Sequence, residues 1–300
     1  MEQLSKFFKN IYIEKSCLYI VSTPIGNLSD VSLRCIKTLQ EVDCILCEDT
    51  RVTKKLLSKF NIKKTSLLSY NDFNAKLKRP LIINNLLKEE FNYAIVSDSG
   101  TPLISDPGYK LVKDCLKHKI KVTHIPGPTS VISGLILSGL PTNNFMFCGF
   151  FEKSLNKKTS QLLKYKEIDA TTIWFESINR IAGTLDLIKK VFGNRNIAIL
   201  RELTKLNEEI IYDKLSNVIK TIQTRTNLRG EIVIVISGYK KDTFNNKNLE
   251  TLILKHSKNT SSQNLSTKDL SILLSDKTGL PRKLIYNEIL KFRKTKNENL

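Results

Sequence analysis

Short apolar runs recur along the chain, separated by stretches whose apolar positions fall at helical spacing. The runs Leu18–Ser22, Cys44–Cys47, Tyr93–Ser97 and Val122–Ile125 predict four strands in the first half. Phe145–Gly149, Thr172–Phe175, Ile197–Arg201 and Glu231–Ser237 predict four more. Between them, Leu33–Val42, Thr50–Phe60, Leu81–Glu90 and Tyr109–Lys117 show the spacing of helices with one buried face. Strand alternating with helix predicts α/β layers on mostly parallel sheets. The run SGLPTNN over 138–144 reads as a linker. It sets a first α/β domain over 17–137 and a second over 145–238, with 1–16 as an extension.

After Gly238 the pattern changes. The polar run KKDTFNNKN predicts a flexible linker over 239–264. Two helical periods then flank the turn TGLP, with Ser266 and Asp269 as a capping pair and Pro281 in the first turn of the second helix. This small helix–turn–helix-like tail, 265–300, is either a pair of helices docked on the body or a reader of nucleic acid.

Composition sharpens the picture. A chain of 300 residues with 41% hydrophobic content is long enough for two cores. No apolar run approaches the roughly 18 residues of a membrane span, and MEQLSKFFKN lacks the features of a signal peptide. The expectation is a cytoplasmic protein with no membrane partner, its six cysteines reduced. The net charge of +19 predicts a polyanionic partner. The segment 239–300 alone holds 13 Lys/Arg against 6 Asp/Glu.

Ligands of open parallel sheets collect at the carboxyl ends of strands. Three loops that follow strands here are rich in Gly and Pro: TPIGN (Thr23–Asn27), SDSGTPLISDPG (Ser97–Gly108) and PGPTS (Pro126–Ser130). Glycine permits close backbone approach and proline removes freedom. Three stiff loops on one rim would offer preset amides and carbonyls to a small molecule. The cluster CEDTR, Cys47–Arg51, supplies charge beside them. Either Asp49 or Thr50 caps a helix with Arg51 in a salt bridge, or Glu48 and Asp49 face a substrate. No GxGxxG, GxxxxGK[ST] or HExxH pattern occurs, so neither the usual dinucleotide turn nor a P-loop is supported, and no metal site is expected. Cys44 and Cys47 read as buried thiols; His118 and His124 read as structural.

Five segments carry a resemblance. They are LYIVSTPIGNLSDVSLRCIKTLQEVDCILCEDTR, VSDSGTPLISDPGYKLV, IPGPTSVISGLILSGLPT, LRELTK and RGEIVIV, in this order. Together they closely resemble the ribosomal RNA small-subunit methyltransferase I family, within the tetrapyrrole-methylase-like (class III) methyltransferases. The resemblance covers roughly Cys17 to Gly238, and the tail is also similar. It implies the tetrapyrrole methylase fold: two α/β domains with S-adenosylmethionine in the cleft between them, plus a small C-terminal helical tail. It implies a homodimer that methylates a cytidine ribose 2′-hydroxyl in the decoding region of 16S rRNA within the small ribosomal subunit.

Carried onto this chain, the resemblance puts Pro24, Asp98, Gly100, Thr101, Pro102, Thr129 and Ser130 at the cofactor from the first domain. Leu203, Gly230, Glu231 and Ile232 close the site from the second. Glu48, Asp49, Asp98 and Glu202 are the carboxylates open to the role of proton acceptor, and Arg51, Lys54, Lys55 and Arg201 are the expected RNA contacts. One segment departs from the family: NDFN, Asn71–Asn74, stands where relatives carry HEHN. A class III methylase acting on a tetrapyrrole or a protein, and a non-catalytic RNA-binding assembly factor, are the competing readings.

Overall fold

The computed structural model describes residues 11–88, 91–225, 229–240, 251–253, 266–278 and 280–297. Residues up to Tyr239 form one compact unit and those from Lys240 another.

The first sheet has the order β3-β2-β4-β1-β5, all parallel. Its strands are β1 (Cys17–Val21), β2 (Cys44–Cys47), β3 (Ser66–Ser69), β4 (Tyr93–Ile95) and β5 (Lys121–Ile125). β2 is buried at every position and β1 at nearly every one, as parallel strands covered on both faces must be. Successive side chains point to opposite faces. Tyr19, Val21, Ile45 and Cys47 therefore meet α1 (Leu33–Glu41) and α2 (Thr50–Lys59) on one side. Leu18, Cys44, Leu46 and Ile95 meet α3 (Ala75–Leu87) and α4 (Tyr109–Lys117) on the other. Cys44 and Cys47 lie in different cores and cannot close on one ion.

The second sheet has the order β6-β7-β10-β8-β9. Its strands are β6 (Phe145–Phe150), β7 (Thr171–Ser177), β8 (Asn196–Arg201), β9 (Glu209–Lys214) and β10 (Glu231–Ile236). Only β6 and β7 run parallel; the other three pairs are antiparallel, which corrects the expectation of mostly parallel sheets. The cause is the loop 202–208, too short for a crossover, which turns β8 back into β9 as a hairpin. α6 (Leu155–Tyr165), α7 (Ile181–Phe192) and α8 (Leu215–Gln223) cover one face through Leu162, Leu185, Ile188 and Val218. The other face is covered by α5 (Ser130–Leu137), whose Val131 and Leu135 pack on Ile173, Val233 and Val235. Gly134 permits this: a Cβ there would lie 2.9 Å from Val233 Cγ1. The helix that leaves the first sheet is thus the lid of the second.

α3 begins at Ala75, six residues before the expected Leu81, and carries Pro80 inside it. Asn71 and Asn74 exchange backbone-to-side-chain hydrogen bonds of 3.0 and 3.2 Å just before it, and both side chains donate to Ser69 Oγ. NDFN is therefore a turn that joins β3 to α3.

In the second unit, α9 (Thr267–Thr278) and α10 (Arg282–Asn297) share a core of Ile253, Leu270, Leu274, Ile285 and Ile289. Ser266 caps α9: its Oγ accepts from Asp269 N at 3.1 Å and donates to Asp269 Oδ2 at 2.6 Å. Most of the expected linker 239–264, and residues 1–10 of the expected extension, lie outside the described residues. No helix among the described residues is long and apolar enough to cross a membrane.

Candidate active site

The three Gly/Pro loops meet at the carboxyl ends of β1, β4 and β5. Thr23 N donates to Gly100 O at 2.9 Å and Gly100 N returns to Thr23 O at 3.2 Å, lacing the first loop to the second. Thr101 Oγ1 donates to Pro128 O at 3.0 Å, lacing the second to the third. Ser22 Oγ lies 3.0 Å from Thr101 Oγ1. Gly100 takes φ +84°, a conformation that L side chains rarely adopt. Leu103 and Ser105 also have positive φ, at 72° and 70°. Backbone held in sparsely populated conformations often marks a site whose shape matters.

The second half closes on this rim. Gly26 abuts the loop after β8 so closely that a Cβ would lie 2.8 Å from both Leu203 O and Thr204 Oγ1. Between the halves is a cavity of about 470 Å³, within the range of small-molecule sites. One wall is Asp98–Thr101, Ile104–Asp106 and Thr129–Val131; the other is Leu200, Leu203, Gly230–Val233 and Glu176–Ile178. Phe150 and Phe175 add an aromatic edge, with ring centroids 5.2 Å apart.

Carboxylates set the electrostatics. Glu48 lines the cavity, and its pKa is pushed up to about 7, first by burial and then by Asp106, Asp98 and Asp72. Asp106 is pushed up to about 6, mainly by burial, with Asp98 adding to it. Burial also raises Asp98, against a 3.3 Å hydrogen bond from Asp49 N. Glu176 is the fully buried exception. It accepts from Lys158 Nζ at 2.9 Å, Thr184 Oγ1 at 2.7 Å and Ser177 N at 2.7 Å, and pairs with Arg180 at 2.5 Å. That network fixes the edge of the cavity after β7.

The adjacent Asp49 has a different fate. It caps α2 by accepting from Arg51 N at 2.8 Å, and Arg51 Nη2 grips it at 2.6 Å. The Arg51 contacts hold its carboxyl down at about 2. Burial pushes Glu202 up, but hydrogen bonds from Glu231 N and Lys205 Nζ, both 2.9 Å, outweigh it and hold the carboxyl below its ordinary value. Glu202 braces the second wall: with Gly230 at φ +109°, a Cβ there would lie 2.5 Å from Glu202 Oε1.

The expected residues therefore divide. Asp98, Gly100, Thr101, Thr129, Ser130, Leu203, Gly230, Glu231, Ile232 and Glu48 line the cavity. Pro24 lines a neighbouring one of about 350 Å³, together with Lys55. Pro102, Asp49, Glu202 and Arg201 line neither. Arg201 pairs with Glu209 at 3.1 Å and donates to Arg229 O at 3.0 Å. Lys54 faces a separate depression.

Residues 17–219 match the family of tetrapyrrole (corrin/porphyrin) methylases. A Rickettsia prowazekii protein named ribosomal RNA small subunit methyltransferase I is 43% identical over 88% of this chain and 92% of its own length. The chain belongs to the ribosomal RNA small subunit methyltransferase I family. A Thermotoga maritima protein of the same name is 46% identical over 74% of this chain and 98% of its own. The fold is shared with solved methyltransferases. Uroporphyrin-III-C-methyltransferase from Thermus thermophilus superposes with a TM-score of 0.53 at 16% identity, over 74% of this chain and 94% of that one. Diphthine synthase superposes at 0.54 and 14% identity, over 74% and 89%. At such identities the likeness shows the fold, and the expected tetrapyrrole methylase architecture is borne out.

Sequence reasoning missed several cavity residues of this methyltransferase. Asp106 lay inside the Ser97–Gly108 stretch, where its acidity next to Gly and Pro was a usable signal. Phe150, Phe175 and the Glu176–Ile178 segment end strands of the second sheet, and nothing local to them marks a cavity.

Proposed function

We propose that this chain transfers a methyl group from S-adenosylmethionine to the ribose 2′-hydroxyl of a cytidine in the decoding region of 16S rRNA. The single observation behind the donor site is the acidic, half-apolar cavity walled by the laced loops. The donor is a cation with an aromatic base. Glu48, Asp98 and Asp106 supply negative charge whose mutual repulsion a sulfonium would relieve, while Phe150 and Phe175 offer aromatic faces. The residues present fit the group. Asp98–Thr101, Thr129, Ser130 and Gly230–Ile232 would hold it. The names of the relatives and the net charge of +19 support an RNA acceptor within the small ribosomal subunit. On the same reading the enzyme is cytoplasmic and a homodimer; Ile136 and Phe145 are exposed apolar residues that a second copy would cover.

When bound, S-adenosylmethionine supplies an electrophilic methyl. The residues supply alignment and a place for the proton. Transfer needs the hydroxyl in line with the methyl at about 3–3.5 Å. Glu48 takes the hydroxyl proton: it is in the cavity, and a group titrating near 7 is matched to that task. Asp49 and Glu202, held as paired anions, keep the walls in shape. Arg51, whose side chain is 85% exposed, remains able to meet a phosphate while it grips Asp49.

Calorimetry with S-adenosylmethionine, followed by labelled methyl transfer to small ribosomal subunits and to a tetrapyrrole in parallel, tests the reading. Donor binding with label entering only the subunit RNA is expected. Label in the tetrapyrrole or in protein contradicts the RNA acceptor, and no heat contradicts the enzyme.

A further inference from the structure

The smaller cavity shares Ile25, Asp98, Ser99 and Glu231 with the larger one, so the two lie against the same stretch of the second loop. Its remaining walls differ in character. Leu28, Val52 and Leu56 form an apolar side, and Lys55 and Lys59, one helical turn apart on α2, form a cationic one. Lys205 also reaches it but is committed to Glu202 and Glu231, at 2.9 and 3.1 Å. Among the described residues, neither Lys55 nor Lys59 has an acidic partner. Two unpaired ammonium groups beside an apolar wall match a nucleotide: phosphate on the lysines, base against the leucines and valine.

We infer that this second cavity is the acceptor subsite, in which Lys55 and Lys59 hold the RNA phosphates beside the target ribose. The inference rests on the RNA reading above and adds where the strand lies. It directs the sugar toward the shared boundary at Asp98, next to Glu48, and the phosphodiester outward along α2. It also separates neighbours. Lys54 belongs to a different depression, lined by Leu57, Ser58, Ile62 and Lys63, and takes no part.

The test uses full-length protein, labelled S-adenosylmethionine and purified small ribosomal subunits lacking the modification. The double variant Lys55→Ala/Lys59→Ala is compared with Lys110→Ala/Lys113→Ala on α4, which removes equal charge from an exposed face. The first pair should raise KM for subunits at least about tenfold, with the effect on KM exceeding that on kcat. It should also make the log–log salt dependence shallower by about 1 to 1.5. Lys55→Arg/Lys59→Arg should recover most of the loss, and donor affinity should match wild type. Equal KM and salt slope in the two alanine pairs would overturn the subsite while leaving the methyltransferase reading intact. Loss of donor binding in the first pair would overturn it too, by making the cavity part of the donor site. Wild type that binds donor but labels no RNA would overturn the RNA reading itself.

Discussion

Glu48 and Asp49 are adjacent carboxylates with opposite fates. Asp49 spends its acceptor capacity on the start of α2 and on Arg51, so it stays ionised. Glu48 turns into the cavity, where burial and three aspartates keep its proton on to about pH 7. Replacing Glu48 with Gln should lower single-turnover methyl transfer at saturating donor by roughly 10²–10⁴-fold, with a much smaller loss of donor affinity because Asp98 and Asp106 remain. In wild type kcat/KM for the donor should rise with pH and level off above about 7, as Glu48 of the free enzyme loses its proton; kcat, read with the cationic donor bound, should level off at lower pH. Asp49→Asn should instead weaken the helix cap. A stability effect follows with its own sign. The folded chain keeps the Glu48 proton longer than the unfolded chain, so wild type loses stability as pH rises from 4.5 to about 7. Thermal unfolding of Glu48→Gln should gain on wild type across that window and hold the gain above it. A difference independent of pH would contradict the shift. The sequence showed both carboxylates beside a strand end but could not separate them, because the separation depends on which one the helix cap consumes. Asp106 was hidden for another reason: it nears Glu48 only after the second loop folds back.

At the scale of elements, the site depends on two loops from different sheets touching at Gly26. Gly26→Ala would press a methyl against Leu203 O and Thr204 Oγ1, so one loop must move. Overpacking of this kind costs about 1–3 kcal/mol, and the displaced Leu203 lines the proposed donor cavity. Urea unfolding should show that loss, and calorimetry should show weakened donor binding; wild-type affinity would mean the loops are not coupled. Strands buried on both faces, such as CILC, were legible as unbroken apolar runs. β9 was not, because EIIYDK is an exposed-edge strand whose charged residues mask its alternation. β3 is short and half-buried, and Pro80 disguised the start of α3. The three site loops were legible because stiff backbone needs Gly and Pro in the chain itself, whereas the opposite wall is made by strand ends with no such mark.

At the scale of the whole molecule, charge and modularity bear on the proposed RNA partner. Every residue lining the proposed donor cavity lies in the unit that ends at Tyr239, and the tail has its own core. Deleting 241–300 should therefore leave donor affinity unchanged. It removes a basic segment, so binding to small ribosomal subunits should weaken and its salt dependence should flatten. Donor binding lost along with the tail would contradict that separation. The most direct test of the central claim is to map the methyl group after wild-type enzyme acts on undermodified small subunits. The account predicts one modified cytidine in 16S rRNA, with the group on its ribose 2′-oxygen. A methyl on a base, or none in RNA despite bound donor, would contradict it.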